Sequence, residues 1–297
     1  MGPSERLVIT GASGGLGRMV AERALARSGP DRLILVTRHP ESLADLAARG
    51  VDVRFGDFAE PGSLARAFAR GTRMLLISTT DLPRRAEQHR TAIDAAAAAG
   101  VAHVIYTSMI SPEPPNPAVI APSHYATEQW LAQSGIAWTV LRHSLYAEYQ
   151  VPEAARAIAT GTLIHNRGDG RIAYVAREDC AAVAAAVLAG TGHDRAVYDV
   201  TGPESHEASS LAVLYGDLGG RPVDAVAVGD AGIIAGIVGS DAADDHARYG
   251  AELVSSIGRA IREGYFARRS DTVLTLTGSP ARPLRDVLAA GLHSLPR

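Results

Sequence analysis

Near its amino end the chain reads Arg6-Leu-Val-Ile-Thr-Gly-Ala-Ser-Gly-Gly-Leu16, and Gly17 follows directly. The apolar run Leu7–Ile9 is too short for a helix and contains β-branched residues, which predicts a buried parallel strand. Apolar residues then recur at helical spacing between residues 16 and 25, which predicts an amphipathic helix. The segment therefore predicts a strand, a turn rich in glycine and a helix.

The spaced glycines of this turn have different physical roles. Gly11 permits a sharp bend, Gly14 has no Cβ and leaves room for a pyrophosphate, and Gly17 lets the helix pack closely on the strand. The start of the helix adds free N–H groups and partial positive charge. An ordinary glycine turn is the alternative, but the repeated strand–helix pattern of the chain favours dinucleotide binding. The predicted cofactor-binding residues of the turn are Gly11, Ala12, Ser13, Gly14, Gly15, Leu16 and Gly17.

Strand-like and helical segments alternate as far as Arg142. Further strands are predicted at 32–37, 51–55, 73–78, 101–107 and 137–141, with helices at 40–49, 61–70, 84–99 and 123–134. This alternation is typical of an α/β protein of the Rossmann type, in which a doubly wound parallel sheet has helices on both faces.

The pattern becomes less regular after Arg142. A helix at 177–189 and a strand at 196–200 are expected to return to the main sheet. Residues 1–150, together with 178–200, are therefore predicted to form a dinucleotide-binding domain. Residues 151–177 and 201–297 are predicted to form a smaller, mostly helical domain that covers the ligand edge of the sheet.

Composition limits the classes of function. The net charge is −3, which gives no reason to expect nucleic acid or an anionic membrane as a partner. The single cysteine, Cys180, excludes an internal disulfide framework and a multi-thiolate metal site. No apolar leader or membrane span is evident, so a cytoplasmic protein is expected. All 29 basic residues are arginine, which excludes Schiff-base chemistry and a P-loop lysine.

Ligands of such sheets bind at the carboxyl ends of the strands. Arg38 follows strand two, where its guanidinium can pair with the 2′-phosphate of NADP, so NADP is favoured over NAD; a solvated surface arginine is the alternative. Asp57 and Phe58 follow strand three, beside the expected adenine. Asp57 either accepts the amino hydrogens of the adenine or caps the helix that starts at Pro61.

Three further strand ends carry polar side chains. Ser78 and Thr79 follow strand four and either line the ribose and nicotinamide of the cofactor or are plain loop hydroxyls. Thr107 lies at the end of strand five and is predicted to contact the cofactor. His143 follows strand six, where it is either catalytic or forms a structural hydrogen bond.

Ser108 at the end of strand five, followed by Tyr125-x-x-x-Gln129 on the next helix, resembles the short-chain dehydrogenase arrangement, although that family has lysine in place of Gln129. The chain as a whole resembles the NmrA-like proteins, an atypical branch, and especially the type 2 NAD(P)H:quinone oxidoreductases and triphenylmethane reductases. The motifs that carry this resemblance extend over nearly the full length and include Thr10-Gly-Ala-Ser-Gly-Gly-Leu-Gly17, Val36-Thr-Arg-His-Pro40, Gln88-His-Arg90, His124-x-x-Thr-Glu128, Gly168-Asp-Gly170 and Arg177-x-Asp179.

The resemblance implies an NADPH-dependent oxidoreductase that transfers a hydride to a quinone-like or conjugated aromatic acceptor. It implies catalytic roles for Tyr125 as proton donor and for Ser108, which also contacts the cofactor; His143 is a third catalytic candidate. Without a lysine partner the tyrosine is a weaker acid, which favours quinones over simple ketones.

Two alternatives remain open. NmrA-like relatives include regulators that bind NADP(H) without catalysis, and a ketone or enone reductase of natural-product biosynthesis would use the same fold. A homodimer is also left open.

Overall fold

The computed structural model of the chain describes residues 5–239 and 245–295. Its strands are β1 (Leu7–Thr10), β2 (Leu33–Thr37), β3 (Asp52–Phe55), β4 (Arg73–Leu76), β5 (His103–Met109), β6 (Ala137–His143), β7 (Thr162–His165), β8 (Ala196–Val200) and β9 (Asp224–Ala227). Its helices are α1 (Gly15–Ser28), α2 (Ala44–Ala48), α3 (Pro61–Phe68), α4 (Arg85–Ala98), α5 (Ala121–Gln133), α6 (Gln150–Thr160), α7 (Arg177–Ala189), α8 (Ala208–Gly219), α9 (Asp230–Val238), α10 (Asp245–Arg262), α11 (Thr272–Thr277) and α12 (Leu284–His293).

Seven strands form one parallel sheet in the order β3-β2-β1-β4-β5-β6-β8. The chain leaves the sheet centre in opposite directions from β1 and β4, so the carboxyl ends of these two strands border the crevice where open α/β sheets bind ligands. This arrangement confirms the predicted Rossmann-type α/β fold, and β8 returns to the edge of the sheet as expected.

The centre of the sheet is buried on both faces, because β1, β2, β4 and β5 are buried along their whole lengths. Successive side chains point to opposite faces, so Leu7 and Ile9 pack with α1 and α7, while Val8 packs with α3, α4 and α5. The fully buried rings of Phe68 and Tyr106 fill the second layer. The two layers hold the strand ends in fixed positions.

A third apolar cluster lies beyond the main sheet. It contains Tyr174, Tyr215 and Phe266 and joins α6, α8 and α12. Strands β7 and β9 form a separate two-stranded parallel sheet beside it. The predicted division of the chain into two domains stays a prediction. Among the described residues, no helix is both long and apolar enough to cross a membrane.

Several element boundaries differ from those predicted. Strands β5 and β6 extend to Met109 and His143, because the two strands remain paired up to these residues. The segment after β2 starts as a 3₁₀ helix at Pro40–Leu43 before α2. Strand β7 was not predicted, since its four residues become a strand only through pairing with the distant β9.

Candidate cofactor-binding and active site

The turn between β1 and α1 has the geometry expected of an anion-binding site. Gly11 has a φ of +59°, and the Gly14 N–H donates to the Gly11 oxygen at 3.0 Å. A Cβ on Gly17 would lie 2.1 Å from the same oxygen, so only glycine fits there. No side chain caps α1, and its first turn holds no acidic residue. The first amides of α1 are therefore available to a ligand.

The seven predicted residues of the turn divide into two groups. Gly11, Ser13, Gly14 and Gly15 are exposed at the surface of the turn. The other three pack into the core and shape the turn from below: Ala12, Leu16 and Gly17.

Arg177 lies directly above this turn. Its Nη1 is 3.6 Å from the position of a Cβ on Gly15. Its guanidinium carbon lies 5.1 Å from the ring centroid of Tyr146 and 5.6 Å from that of Tyr149. Its backbone N–H donates to the Glu148 carboxylate, at 2.9 and 3.1 Å to the two oxygens. Within the described chain its guanidinium forms no ion pair.

The position of Arg177 is suited to binding an anion at the start of α1. A guanidinium beside the positive end of α1 is repelled by it, and a diphosphate between the two would turn this repulsion into attraction. The sequence reasoning recognised Arg177 only as part of a motif. It lies close to Tyr146 because a strand-like bridge pairs Tyr146 with Val175, a contact that a local pattern does not reveal.

The end of β2 lies beside the same turn. The Ser13 and Thr37 hydroxyls are 2.6 Å apart, and the His39 N–H donates to the Thr37 hydroxyl at 3.1 Å. Arg38 is exposed and forms no ion pair with the residues that the structure describes. Arg38 thus follows a residue that contacts the glycine turn, and its exposed side chain is available for the proposed 2′-phosphate role.

The loop after β3 uses the Asp57 carboxylate locally. Its Oδ1 accepts from the Ala59 N–H at 2.9 Å, and the Asp57 N–H donates to the Ser63 hydroxyl at 3.0 Å. Phe58 packs, half-buried, against the apolar layer of α3, α4 and α5. The adenine contacts of both residues stay a prediction.

The loop after β4 is held by two side chains. The Ser78 N–H donates to the buried Thr107 hydroxyl at 2.9 Å, and the Thr79 N–H donates to His89 Nε2 at 3.0 Å. The hydroxyls of Ser78 and Thr79 lie at the ligand edge, while Thr107 positions the loop through its own hydroxyl.

Ser108 forms a hydrogen bond to a buried ion pair between Glu128 and Arg142. Its hydroxyl donates to Glu128 Oε1 at 2.6 Å. Arg142 donates to the same carboxylate from Nε at 3.0 Å and from Nη2 at 2.6 Å. Glu128 is 7% exposed, so its charge is balanced by Arg142 in a site with little water. This link ties β5, α5 and β6 together at their carboxyl ends.

His143 lies on the other face of the sheet from Ser108. Ser108 pairs with Arg142 in the β5–β6 register, and Arg142 contacts α5, so the next residue, His143, points towards α7. Its Nδ1 is 3.0 Å from the Tyr146 hydroxyl, and its buried Nε2 has no partner among the described residues. Burial lowers the pKa of His143 to about 3, so the ring is neutral at neutral pH.

Tyr125 stands apart from both groups. It is half-buried on the first part of α5, and its hydroxyl forms no hydrogen bond within the part of the chain that the structure describes. The structure therefore brings His143 together with Tyr146 and Arg177, and joins Ser108 to Glu128, but it links neither Ser108 nor His143 to Tyr125 by a hydrogen bond.

Comparisons with known proteins show which family the chain belongs to. A family model described as NAD(P)H-binding matches residues 11–191. The crystal structure of the NADPH-dependent quinone oxidoreductase from Escherichia coli in complex with NADPH aligns with a TM-score of 0.90 and 32% identity, over 96% of this chain and 99% of the other. The triphenylmethane reductase from Citrobacter sp. in complex with NADP(H) aligns with a TM-score of 0.87 and 30% identity, over 97% of this chain and 100% of the other.

A curated relative covers almost the full length. The (4-alkanoyl-5-oxo-2,5-dihydrofuran-3-yl)methyl phosphate reductase from Streptomyces griseus subsp. griseus is 34% identical over 284 residues, 94% of this chain and 95% of the relative. These matches confirm the resemblance drawn from the sequence motifs. Since the family model also covers more than half of the chain, the protein belongs to the NAD(P)H-binding family.

Proposed function

We propose that this protein is an NADPH-dependent reductase of quinone-like or conjugated aromatic acceptors. The observation that carries the proposal is the uncapped glycine turn at the start of α1, with the guanidinium of Arg177 above it. A positive helix terminus and a guanidinium that forms no ion pair among the described residues fit the diphosphate of a dinucleotide. The quinone oxidoreductase and the triphenylmethane reductase that align over nearly the whole chain support both the cofactor and the class of acceptor.

The remaining cofactor contacts follow from the strand ends. Arg38 would bind the 2′-phosphate that distinguishes NADPH from NADH. Asp57 and Phe58 would border the adenine. Ser78 and Thr79 would lie beside the ribose and nicotinamide, with Thr107 and Ser108 supporting this end of the cleft. When bound, the reduced nicotinamide supplies the hydride.

Quinone reduction requires little acid catalysis from the side chains of the protein. Reduction of a quinone to a hydroquinone requires one hydride and one proton. The oxyanion of a hydroquinone is modestly basic and can be protonated by water or by the Tyr125 hydroxyl. We assign Tyr125 as a hydrogen-bond donor to the acceptor, Ser108 as a group held by Glu128, and neutral His143 as part of the wall near Tyr146.

An acceptor panel tests the proposed function. NADPH oxidation is measured without oxygen for menadione, a triphenylmethane dye and a simple ketone, with NADH as the matched coenzyme control. We expect turnover with the first two acceptors and a preference for NADPH. Tight binding of NADP(H) without turnover of any acceptor would contradict the proposal and favour a sensor.

The Streptomyces griseus relative favours a second candidate, a reductase of natural-product biosynthesis. Its name states that it reduces a phosphate ester, and the two chains match over nearly their whole lengths. Product analysis separates the candidates: a hydroquinone supports the quinone reductase, whereas efficient reduction of an enone, with poor reduction of quinones, supports the second candidate.

A further inference from the structure

Arg85, the first residue of α4, is a buried cation with no acidic partner among the residues that the structure describes. It is 6% exposed. Its Nε donates to the Thr79 oxygen at 3.0 Å, and its Nη1 donates to His124 Nε2 at 3.0 Å. The third nitrogen, Nη2, has no partner in the described ranges of the chain, and no carboxylate there lies within ion-pair distance.

Both partners of Arg85 are neutral. An arginine only donates hydrogen bonds, so His124 Nε2 is an acceptor and the proton of that ring is on Nδ1. This Nδ1–H donates to the Tyr106 hydroxyl at 2.7 Å. Burial, together with the charge of Arg85, holds the pKa of His124 well below its usual value. The hydrogen bonds therefore fix the direction of the guanidinium without balancing its charge.

Two other arginines with largely buried side chains, Arg142 and Arg167, are balanced by carboxylates. Arg142 pairs with Glu128 at 2.6 Å, and Arg167 pairs with Glu153 at 2.6 Å. A buried cation without such a partner is costly.

Arg73, which is 8% exposed, donates from Nη2 to the Val187 oxygen at 2.9 Å and forms no ion pair among the described residues. Arg73 lies at the amino end of β4, whereas Arg85 follows the carboxyl end of that strand, where a ligand of the sheet can supply the counter-charge.

Arg85 lies where a substrate would bind. Thr79, whose oxygen it contacts, follows β4 at the ligand edge of the sheet. The other partner of Arg85, His124, lies on α5 directly before Tyr125, the proposed donor to the acceptor.

We propose that Arg85 binds an anionic group of the acceptor, so that the substrates are quinone-like or conjugated molecules with a sulfonate, carboxylate or phosphate substituent. This inference rests on the proposed function, because it concerns the acceptor half of the same cleft. The hydrogen bonds to Thr79 and His124 hold the guanidinium ready, and Nη2 remains for the ligand. A charge-assisted hydrogen bond of this kind corresponds to about tenfold to hundredfold in affinity.

Calorimetry on the NADP⁺ complex tests the anion site without turnover. The probes are menadione and naphthoquinone sulfonate, two quinones of similar size that differ in charge. The unsubstituted protein should bind the sulfonate at least about tenfold more tightly. Arg85→Met should remove this preference while leaving the affinity for menadione within about threefold. Arg84→Met, at the exposed neighbouring arginine, should keep the preference.

Equal affinity of the unsubstituted protein for the two probes would overturn the anion site, and this comparison needs no variant. Retention of the preference by Arg85→Met would overturn it as well. If Arg85→Met does not fold, the Arg85→Gln variant, which retains donor capacity without charge, takes its place and should also lose the preference. Since no hydride is transferred in the experiment, a failure of the acceptor panel rejects the reductase, whereas a failure here rejects the anion site alone.

Discussion

Arg38 and Arg177 are proposed to bind different phosphates of the same cofactor. Arg38 lies at the end of β2 beside Ser13 and Thr37, and Arg177 lies above Gly15. NADH and NADPH share the diphosphate and differ only in the 2′-phosphate. Substitutions at the two arginines should therefore be distinguished by the coenzyme whose affinity they change.

Arg38→Glu should weaken NADPH binding by about tenfold to hundredfold, because it replaces an attraction to the 2′-phosphate with a repulsion. NADH binding should change by less than about threefold. Calorimetric titration with both coenzymes measures the effect. Arg156→Glu, at an exposed residue of α6, is the control with the same change of charge. Equal losses for the two coenzymes would show that Arg38 does not select the phosphate.

Arg177→Leu should weaken both coenzymes to the same degree, by about tenfold or more, because the diphosphate is common to them. The same titration measures the two dissociation constants. Loss of NADPH affinity alone, or no loss at all, would remove Arg177 from the diphosphate site.

Tyr125→Phe should lower the turnover of a quinone by less than about tenfold, because a modestly basic oxyanion can take its proton from water. A required general acid typically contributes about a hundredfold or more. Single-turnover rates with menadione measure the change. A loss of that larger size would make the Tyr125 hydroxyl the necessary proton donor.

The close packing between β1 and α1 requires a residue without a side chain at position 17. Gly17→Ala would place a Cβ 2.1 Å from the Gly11 oxygen, so the helix must move. We expect the free energy of unfolding to fall by about 1–3 kcal/mol, with weaker binding of NADPH. Gly62 is exposed in the first turn of α3, and a Cβ added there would have no neighbouring atom within 4 Å. Gly62→Ala should therefore raise the free energy of unfolding by up to about 1 kcal/mol. Denaturant unfolding of both variants measures the contrast, and equal stabilities would contradict close packing at Gly17.

The burial of His143 between β6 and α7 has a consequence for stability. Its pKa is about 3 in the folded chain and about 6.5 in an unfolded one. Between these values the unfolded chain binds more protons, so the free energy of unfolding falls as the pH is lowered below about 6.5. The contribution is constant at higher pH.

His143→Asn should reduce this dependence by up to about 1.4 kcal/mol per pH unit between about pH 4 and 6. Denaturant unfolding across that range measures the slope. An unchanged slope would mean that His143 is not buried as a neutral ring.

The individual elements could be predicted where the sequence pattern is local. Helix α7 and strand β8 have the predicted bounds, because an alanine-rich helix and a β-branched strand are visible without their neighbours. The four residues of β7 could not be predicted, since they depend on β9. The extension of β6 to His143 likewise depends on pairing with β5, and this pairing decides that His143 and Ser108 lie on opposite faces of the sheet.

The architecture of the molecule and the glycine turn between β1 and α1 could also be predicted, because a glycine turn followed by alternating strands and helices has few other solutions. The cations around the cleft could not. Arg177 reaches Gly15 only through the folded chain. The lack of an acidic partner for Arg85 among the described residues is visible only once its neighbours in the fold are known. Such features arise from contacts between distant segments, for which a single sequence carries no local signal.

A single turnover followed by stopped flow tests the central claim most directly. The protein with NADPH bound is mixed with menadione in the absence of oxygen, and the absorbance of NADPH and the amount of hydroquinone are followed together. We predict that one hydroquinone forms for each NADPH consumed, and that NADH reacts more slowly at equal concentration. Bound NADPH that persists in the presence of menadione and of the other acceptors would contradict the assignment of this protein as a reductase.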